Sequence, residues 1–568
     1  MTKFLITSAL PYINGAKHLG NLVGSLLPAD VHARFRRQVG DEVLFICGTD
    51  EHGTPAELGA LAARQDIREF CDEQHAIQAD IYRRFRLSFD HFGRTSSPQN
   101  HELTQHFYRK LDEAGLIEER AVSQIWSPVD QRFLSDRYVL GACPHCGFAA
   151  ARGDQCDGCG ALLNPTELIS PRSALSGDTA LEAKESQQLF LRQSLLVDSL
   201  REWLATKAGW PPFVASLARS WLTDELRDRC ITRDLAWGVP VPRPGFEGKV
   251  FYVWFDAPIG YIAATKEWAD AETSIRDWRR WWQEADEVRY LQFLGKDNIP
   301  FHAVSFPATL IGSGEPWKTA DVIKGFHWLQ YEGGKFSTSA KRGIFTDRAL
   351  DELPADCWRW QLIANAPETS DADFSLQRFA SEVNKDLADV FGNLVNRTIR
   401  FAHRAFEGRI PAGGEPGELE SALALELQQR IAALRRHHEA LEFRKAAAET
   451  RGVWALANGY LQQAAPWNSV RSDRPRAAVI TRTGLNLVWL SAVLAWSVIP
   501  TLSETVLQAF DDKRQIPYWP GEATGSLLNG NAGRKFELLD PLVDKITEDR
   551  VVRLQSLFGG RTAGLREL

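Results

Sequence analysis

Methionine is almost absent from this chain: Met1 is the only one in 568 residues. Leucine and phenylalanine therefore fill the core positions that methionine often takes. Charge of one sign is not in excess. Lysine and arginine number 66 and aspartate and glutamate 73, a formal net charge of −7. That excludes a global basic field, so any nucleic acid must meet a local basic face. An unbroken apolar run of membrane length is missing. The most apolar stretch, Leu485 to Ile499, is interrupted by Asn486, Ser491 and Ser497. It falls short of the ~20 residues a spanning helix needs and reads as a buried bundle helix. The apolar part of Met1–Ser8 is too short for a secretory signal and reads as a buried first strand. Cysteines number only eight, and four of them cluster between Cys143 and Cys159. The scattered Cys47, Cys71, Cys230 and Cys357 are expected as reduced thiols in a cytoplasmic protein. Internal repeats and low-complexity tracts are absent.

What is present fits a soluble multidomain protein, 44% hydrophobic and 24% charged. The length suggests roughly three to five units. Residues 4–8 form a short β-prone run, followed by the loop Ala9–Gly15 with its Pro and Asn-Gly signals. Leu19, Leu22, Leu26, Ala29 and Ala33 recur at helical spacing up to Arg37, and Val43–Cys47 is a second buried strand. Strand–helix–strand predicts an α/β fold with a doubly wound parallel sheet. Ligands in such sheets bind at the carboxyl ends of strands, here Ser8–Tyr12 and Gly48–Gly53. The pattern breaks near residue 116, and 116–230 reads as an irregular connective insertion. Strands are expected again at Val250–Phe255, Arg289–Leu294 and Asp321–Lys324. Residues 1–115 and 231–330 are then two halves of one split sheet, followed by 331–375. From 376 to 505 the period is 3.6, predicting an α-helical bundle with helices near 418–435, 441–464 and 475–498, stopped by Pro500. Residues 506–568 read as a tail folding back on the body.

Two motifs more than three hundred residues apart carry chemistry: Lys17-His18-Leu19-Gly20-Asn21 and Lys335-Phe336-Ser337-Thr338-Ser339. Together they look like two halves of one ATP site. His18 at a helix start places an imidazole where free N–H groups favour phosphate, and Gly20 permits close approach. Lys335 would close over the same phosphates. Cys143, Cys146, Cys156 and Cys159 form two Cys-x-x-Cys pairs, the pattern of a closed four-thiolate zinc site, with Gly147, Gly158 and Gly160 suited to the knuckle turns.

The stretch Thr7–Asn21 resembles the methionyl-tRNA synthetase family of class I aminoacyl-tRNA synthetases. So do Phe45–Pro55, Val253–Tyr261 and Gly295–His302, and the resemblance runs over roughly 4–500, implying that 1–115 and 231–330 are the two halves of the catalytic domain and 331–375 a mobile lysine loop with a stem-contact region. It implies a methionine–tRNA ligase that joins methionine to ATP as methionyl-adenylate, with magnesium, then transfers it to the 3′-terminal adenosine of methionine tRNA, initiator and elongator. It implies a methionine pocket of Ala9, Leu10, Tyr12, Trp254, Ala257, Pro258, Tyr261 and His302, with Asp50 on the substrate ammonium. Aromatic rings suit a polarisable thioether. On the ATP side it implies His18, Gly20, Asn21, Gly295, Asp297, Lys335 and Thr338, with His18, Asn21 and Lys335 catalytic. The family often has a second histidine at Asn21 and a lysine at Thr338. Lys341 or Arg342 is the expected source of the missing charge. Asn393, Arg397, Pro466 and Trp467 match anticodon-binding positions. The family often adds a dimerising module, and the residues beyond about 505 leave no room for one, so a monomer is expected. A tRNA-binding paralogue without adenylation is the alternative. Relatives for leucine, isoleucine or valine carry a larger insertion than 116–230. The scarcity of methionine suggests an enzyme whose synthesis barely draws on its own substrate.

Overall fold

The computed structural model describes residues 2–558 apart from 154, 155, 157, 160, 162, 224–225, 337–341 and 522–527. Its centre is a parallel sheet of five strands. These are β1 (Lys3–Ser8), β2 (Glu42–Thr49), β3 (His91–Arg94), β4 (Val288–Gly295) and β5 (Val322–Phe326), in the order β5-β4-β1-β2-β3. Both faces of β1 are buried, as its unbroken run Phe4-Leu5-Ile6 requires in a sheet covered by helices. Ser8 pairs with Phe293 and Thr7 with Ile46, so the ends of β1, β4 and β2 lie side by side. One helical path runs from Leu19 to Gln38, with a π segment at Leu22–Leu26, and packs on β2 and β4.

Three expectations are corrected. Val250–Phe255 is not a strand: only Val250–Phe251 pairs, with Thr232–Arg233, and a helix runs Val253–Asp270. That helix is buried nearly all round, against Pro98–Glu113, β2 and β3, so no amphipathic period marks it. Residues 116–230 are not irregular. They contain the long antiparallel pair Ile117–Ser127 and Glu182–Leu191, whose polar run Glu182–Gln188 faces solvent at most positions and lacks apolar contrast. Pro500 does not end the helical region. Helix Arg474–Ala495 stops short of it, and Pro500 opens another helix, Pro500–Ala509, in whose first turn its missing N–H costs nothing.

The bundle comprises Leu376–Phe406, with a π segment at Asn384–Gly392, and helices Glu418–Glu439, Phe443–Ala464 and Arg474–Ala495. By length and composition Arg474–Ala495 is apolar enough to cross a membrane, but 94% of its most apolar window is buried inside the protein. It is the bundle's central helix. Beyond Ala509 the chain returns to the N-terminal half: Trp519 N–H donates to the carbonyl of Gln38, the last residue of the first helical path, and Tyr331 Oη, on the short strand Leu329–Tyr331, donates to the Phe558 carbonyl.

Candidate active site

His18 caps the helical path at the carboxyl end of β1. Its Nδ1 accepts from the Asn21 N–H at 3.3 Å, and its own N–H donates to Asn21 Oδ1 at 3.2 Å. Nδ1 is thus the acceptor, and the ring proton sits on Nε2. Burial, reinforced by the Lys17 charge, pushes the imidazole down to about 3, so it is neutral. Asn21 spends its amide oxygen on this cap and keeps its NH2 as a donor.

The structure brings the two motifs together. Phe336, next to Lys335, stacks on the His18 ring with centroids 4.7 Å apart. The Leu19 N–H donates to Ile344, and the Thr346 N–H and hydroxyl both donate to the Lys17 carbonyl. Gly343 is at φ +123°, and a Cβ there would lie 2.1 Å from the Phe336 ring, so only glycine fits beside it. Lys335 itself is exposed. Arg342 is committed: its Nη2 donates to the carbonyls of Tyr331 and Glu332 at 2.8 and 3.2 Å. Thr338 and Lys341 lie outside the described residues, as does Gly160.

Asp50 follows β2, bridged to Tyr12, and is 5% exposed. Its Oδ1 is buried with no partner. Burial pushes its pKa well above the usual carboxylate range, and Asp256 and Glu51 add to that against the His52 N–H and Lys17. Lys17 is itself 5% exposed, donates to Asn14 Oδ1 at 3.0 Å, and is pushed down by burial to about 7. Sequence reading took Lys17 only as a letter of the motif; nothing in its spacing signals burial.

Of the expected aromatic residues, Tyr12 bridges to Asp50 and Tyr261 feels its charge. Trp254 stacks on Phe301 at 3.7 Å. His302 Nδ1 donates to the Asn298 carbonyl at 2.9 Å, so its Nε2 accepts from Tyr261 Oη, also at 2.9 Å. Burial pushes His302 down to about 4 and Tyr261 well above its ordinary value, so the pair is uncharged. Ala9 donates from its N–H to Phe293, and Leu10 lies over Gly260, where a Cβ would come within 3.2 Å. Ala257 and Pro258 are buried on the same helix as Trp254. A cleft of about 30 Å³ is bounded by Tyr12, Gly53, Arg233 and Trp254. A larger open cavity, about 540 Å³, lies between Arg68, Arg94, Gln99 and Asp270 and shares no residue with this one. Sequence reading missed the partner behind the pocket wall. His52 Nδ1 meets Asp256 Oδ2 at 2.5 Å, both buried, and Asn100 Nδ2 donates to that oxygen at 3.3 Å. Both residues stood inside quoted motifs, and that was the signal. Gly295 ends β4, and Asp297 is exposed one turn beyond it.

The four clustered cysteines are free thiols whose ligand atoms lie within 4.8 Å of one another and could hold a metal ion. Cys143 Sγ is 3.9 Å from Cys159 Sγ, and Cys146 Sγ 3.6 Å from Cys156 Sγ. A tetrahedron with zinc–sulfur bonds of ~2.3 Å has edges of about 3.8 Å, so the donor set fits. In the bundle, Asn393 is exposed and Arg397 half-buried on one face of helix Asn393–Phe406. The Arg397 guanidinium lies 4.0 Å over the Trp467 ring, and Pro466 is buried in the first turn of the helix Pro466–Ser469.

A family model described as tRNA synthetases class I (M) matches residues 4–399, and one for the anticodon binding domain of methionyl tRNA ligase matches 410–563. The methionine–tRNA ligase of Caulobacter vibrioides (strain NA1000 / CB15N) is 54% identical, covering 99% of this chain and 100% of its own. That of Ruegeria sp. (strain TM1040) is also 54% identical, with 99% and 100% covered. Mycobacterium tuberculosis methionyl-tRNA synthetase, solved in complex with methionyl-adenylate, shares the fold at TM-score 0.76 and 24% identity, over 95% of this chain and 99% of that one.

Proposed function

The chain belongs to the methionyl-tRNA synthetase family and is an aminoacyl-tRNA ligase for methionine, and from that premise we infer how its own residues divide the work. The observation that carries the inference is Asp50: a buried carboxylate with an unpartnered oxygen at a strand end, beside an uncharged aromatic slot. A substrate ammonium satisfies that oxygen by a charge-assisted bond. The thioether lies among Leu10, Tyr12, Trp254, Ala257, Pro258 and Tyr261, with His302 fixing the Tyr261 hydroxyl. Ala9 borders the substrate backbone. The cleft beside Tyr12 and Trp254, about 30 Å³, is too small for a thioether side chain, so Tyr12 or Trp254 shifts to admit it.

ATP lies over the start of the helical path, its adenosine toward Gly20, Gly295 and Asp297. A methionine carboxylate oxygen bonds to the α-phosphorus as the bond to pyrophosphate breaks. His18 Nε2–H and the Asn21 NH2 donate to phosphoryl oxygens without changing charge, and Lys335 offsets charge on the leaving pyrophosphate. Magnesium enters with the ATP. The source of charge in place of a lysine at Thr338 narrows to Lys341, because Arg342 is held by two carbonyls. Cys143, Cys146, Cys156 and Cys159 hold one zinc ion, which cross-links the tip of the insertion. Trp467 offers a stacking face for an unpaired anticodon base, with Asn393 and Arg397 at base edges and Pro466 setting the turn. We place the enzyme in the cytoplasm as a monomer. The alternative of a paralogue without adenylation is not favoured by relatives at 54% identity over the full chain.

Methionine-dependent ATP–pyrophosphate exchange tests the reading. The intact chain exchanges label, and Asp50→Ala and Lys335→Ala slow it strongly. Intact protein without exchange overturns it. Lys341→Ala slowing exchange while Arg342→Ala does not is the expected split.

A further inference from the structure

Trp328 is 39% exposed, unusual for an indole, and two ammonium groups share its ring. Lys296 Nζ lies 4.1 Å from the ring centre and Lys335 Nζ 5.3 Å. Both distances are within cation–π range. The indole has a rigid base. The Trp328 backbone N–H donates to Asp371 Oδ1 at 2.9 Å, and its carbonyl accepts from the Ala372 N–H at 3.0 Å. The two lysines are held differently. Lys296, between Gly295 and Asp297, also pairs with Asp371 at 2.7 Å. The Lys335 backbone pairs with Gln330, but for its ammonium the indole is the one hydrogen-bonding, ionic or ring partner among the described residues, at the exposed end of the two-residue strand Gly334–Lys335.

We propose that Trp328 is the resting seat of the Lys335 ammonium, a positioning residue that withdraws this charge from the phosphates until ATP draws it off. The proposal rests on the reading of Lys335 as a phosphate ligand. An ammonium on phosphate cannot also sit on the indole in its resting place. The contact therefore belongs to the ligand-free state alone, and it weakens ATP binding by its own worth. Lys296 stays behind, held by Asp371, so the indole keeps one cation when the other leaves. Repulsion between two ammonium groups on one ring makes the release easier.

The test uses the full chain in methionine-dependent pyrophosphate exchange, with KM for ATP and kcat measured separately. Trp328→Leu is expected to lower KM for ATP by about two- to five-fold, the worth of one exposed cation–π contact, with kcat unchanged. Trp328→Phe keeps a ring and shifts KM less. In a Lys335→Ala background, Trp328→Leu changes nothing, because the indole acts through Lys335. A rise in KM on Trp328→Leu overturns the proposal, since the indole then presents the lysine to ATP. An equal change with and without Lys335 overturns it too, because the indole then meets the nucleotide itself. Should Lys335→Ala alone leave exchange untouched, the reading beneath the proposal fails, and that result is separate from the others.

Discussion

Asp50 sits where its charge is least comfortable, and the ammonium proposed for it would relieve that. Burial first, then Asp256 and Glu51, push its pKa upward. A bound ammonium favours the ionised form, so methionine binding below the raised pKa expels a proton. KM for methionine is therefore expected to rise on acidification, starting above the ordinary carboxylate range. Asp50→Asn removes that acid limb and cuts kcat/KM by about 10- to 100-fold, the worth of a charged hydrogen bond. A pH profile of kcat/KM for both proteins reads it; an unchanged limb in Asp50→Asn assigns the titration elsewhere. His18 makes the opposite case. Burial and Lys17 hold it at about 3, so between about pH 5 and 8 it never changes charge. His18→Ala should slow exchange about 10²- to 10³-fold, as loss of one transition-state donor does, while the ionisations in the pH profile stay where they were.

Among the elements, the insertion tip rests on its four thiols. A closed thiolate site contributes folding energy directly. Cys143→Ala should drop bound zinc from one per chain, as read by elemental analysis, and slow tRNA charging more than pyrophosphate exchange. Equal losses in both reactions would place the knuckle within the adenylation machinery instead. How much of this was legible in the sequence varied with the physics of each element. β1 and β2 announce themselves, since strands buried on both faces read as short apolar runs between turn residues. The bundle helices show a 3.6 period because they keep one wet face. Val253–Asp270 is buried at nearly every position through Thr265, so no wet face marks its period, and its β-branched and aromatic opening imitates a strand. The pair Ile117–Ser127 and Glu182–Leu191 hides for the reverse reason: its hydrogen bonds are regular, but its side chains are polar on both faces for much of their length. At the candidate site, motif letters single out His18, Asp50 and Trp254. The pairing of His52 with Asp256 and the seat of Lys335 on Trp328 depend on which chain segments cross, and no local pattern encodes that.

Across the whole molecule, one buried cation ties the helices packed on the N-terminal sheet to the bundle. Arg359 is fully buried on helix Ala355–Ala364. Its guanidinium donates to Asp30 Oδ2 at 2.7 Å, to Phe85 at 3.0 Å, and to Val498 and Ser497 at 2.8 and 3.0 Å. Asp30 belongs to the first helical path, while Ser497 and Val498 close the bundle's central helix. Burial alone would raise the Asp30 pKa; Arg34 and Arg359 outweigh it and hold the carboxyl down to about 2. A depressed carboxyl contributes stability above its unfolded pKa and loses it as pH falls through the folded one. Here about 2 kcal/mol is present above about pH 4 and lost between about 4 and 2. Asp356, pushed up to about 6 by burial, acts with the opposite sign. It opposes folding near neutrality and relaxes as pH falls from about 6 to 4. The two groups together predict that thermal stability rises slightly on mild acidification and then falls steeply. Arg359→Met removes the cation but keeps the volume, leaving three carbonyls and half of the Asp30 charge unmet, at a cost of about 3–5 kcal/mol. The unfolding midpoint should drop by several degrees, and the steep acid limb should begin at higher pH as Asp30 titrates nearer its ordinary value. Because the tie joins the helices beside the sheet to the bundle, tRNA charging should suffer more than pyrophosphate exchange. An Arg359→Met protein with an unmoved midpoint and acid limb would show that apolar packing alone holds the two parts together.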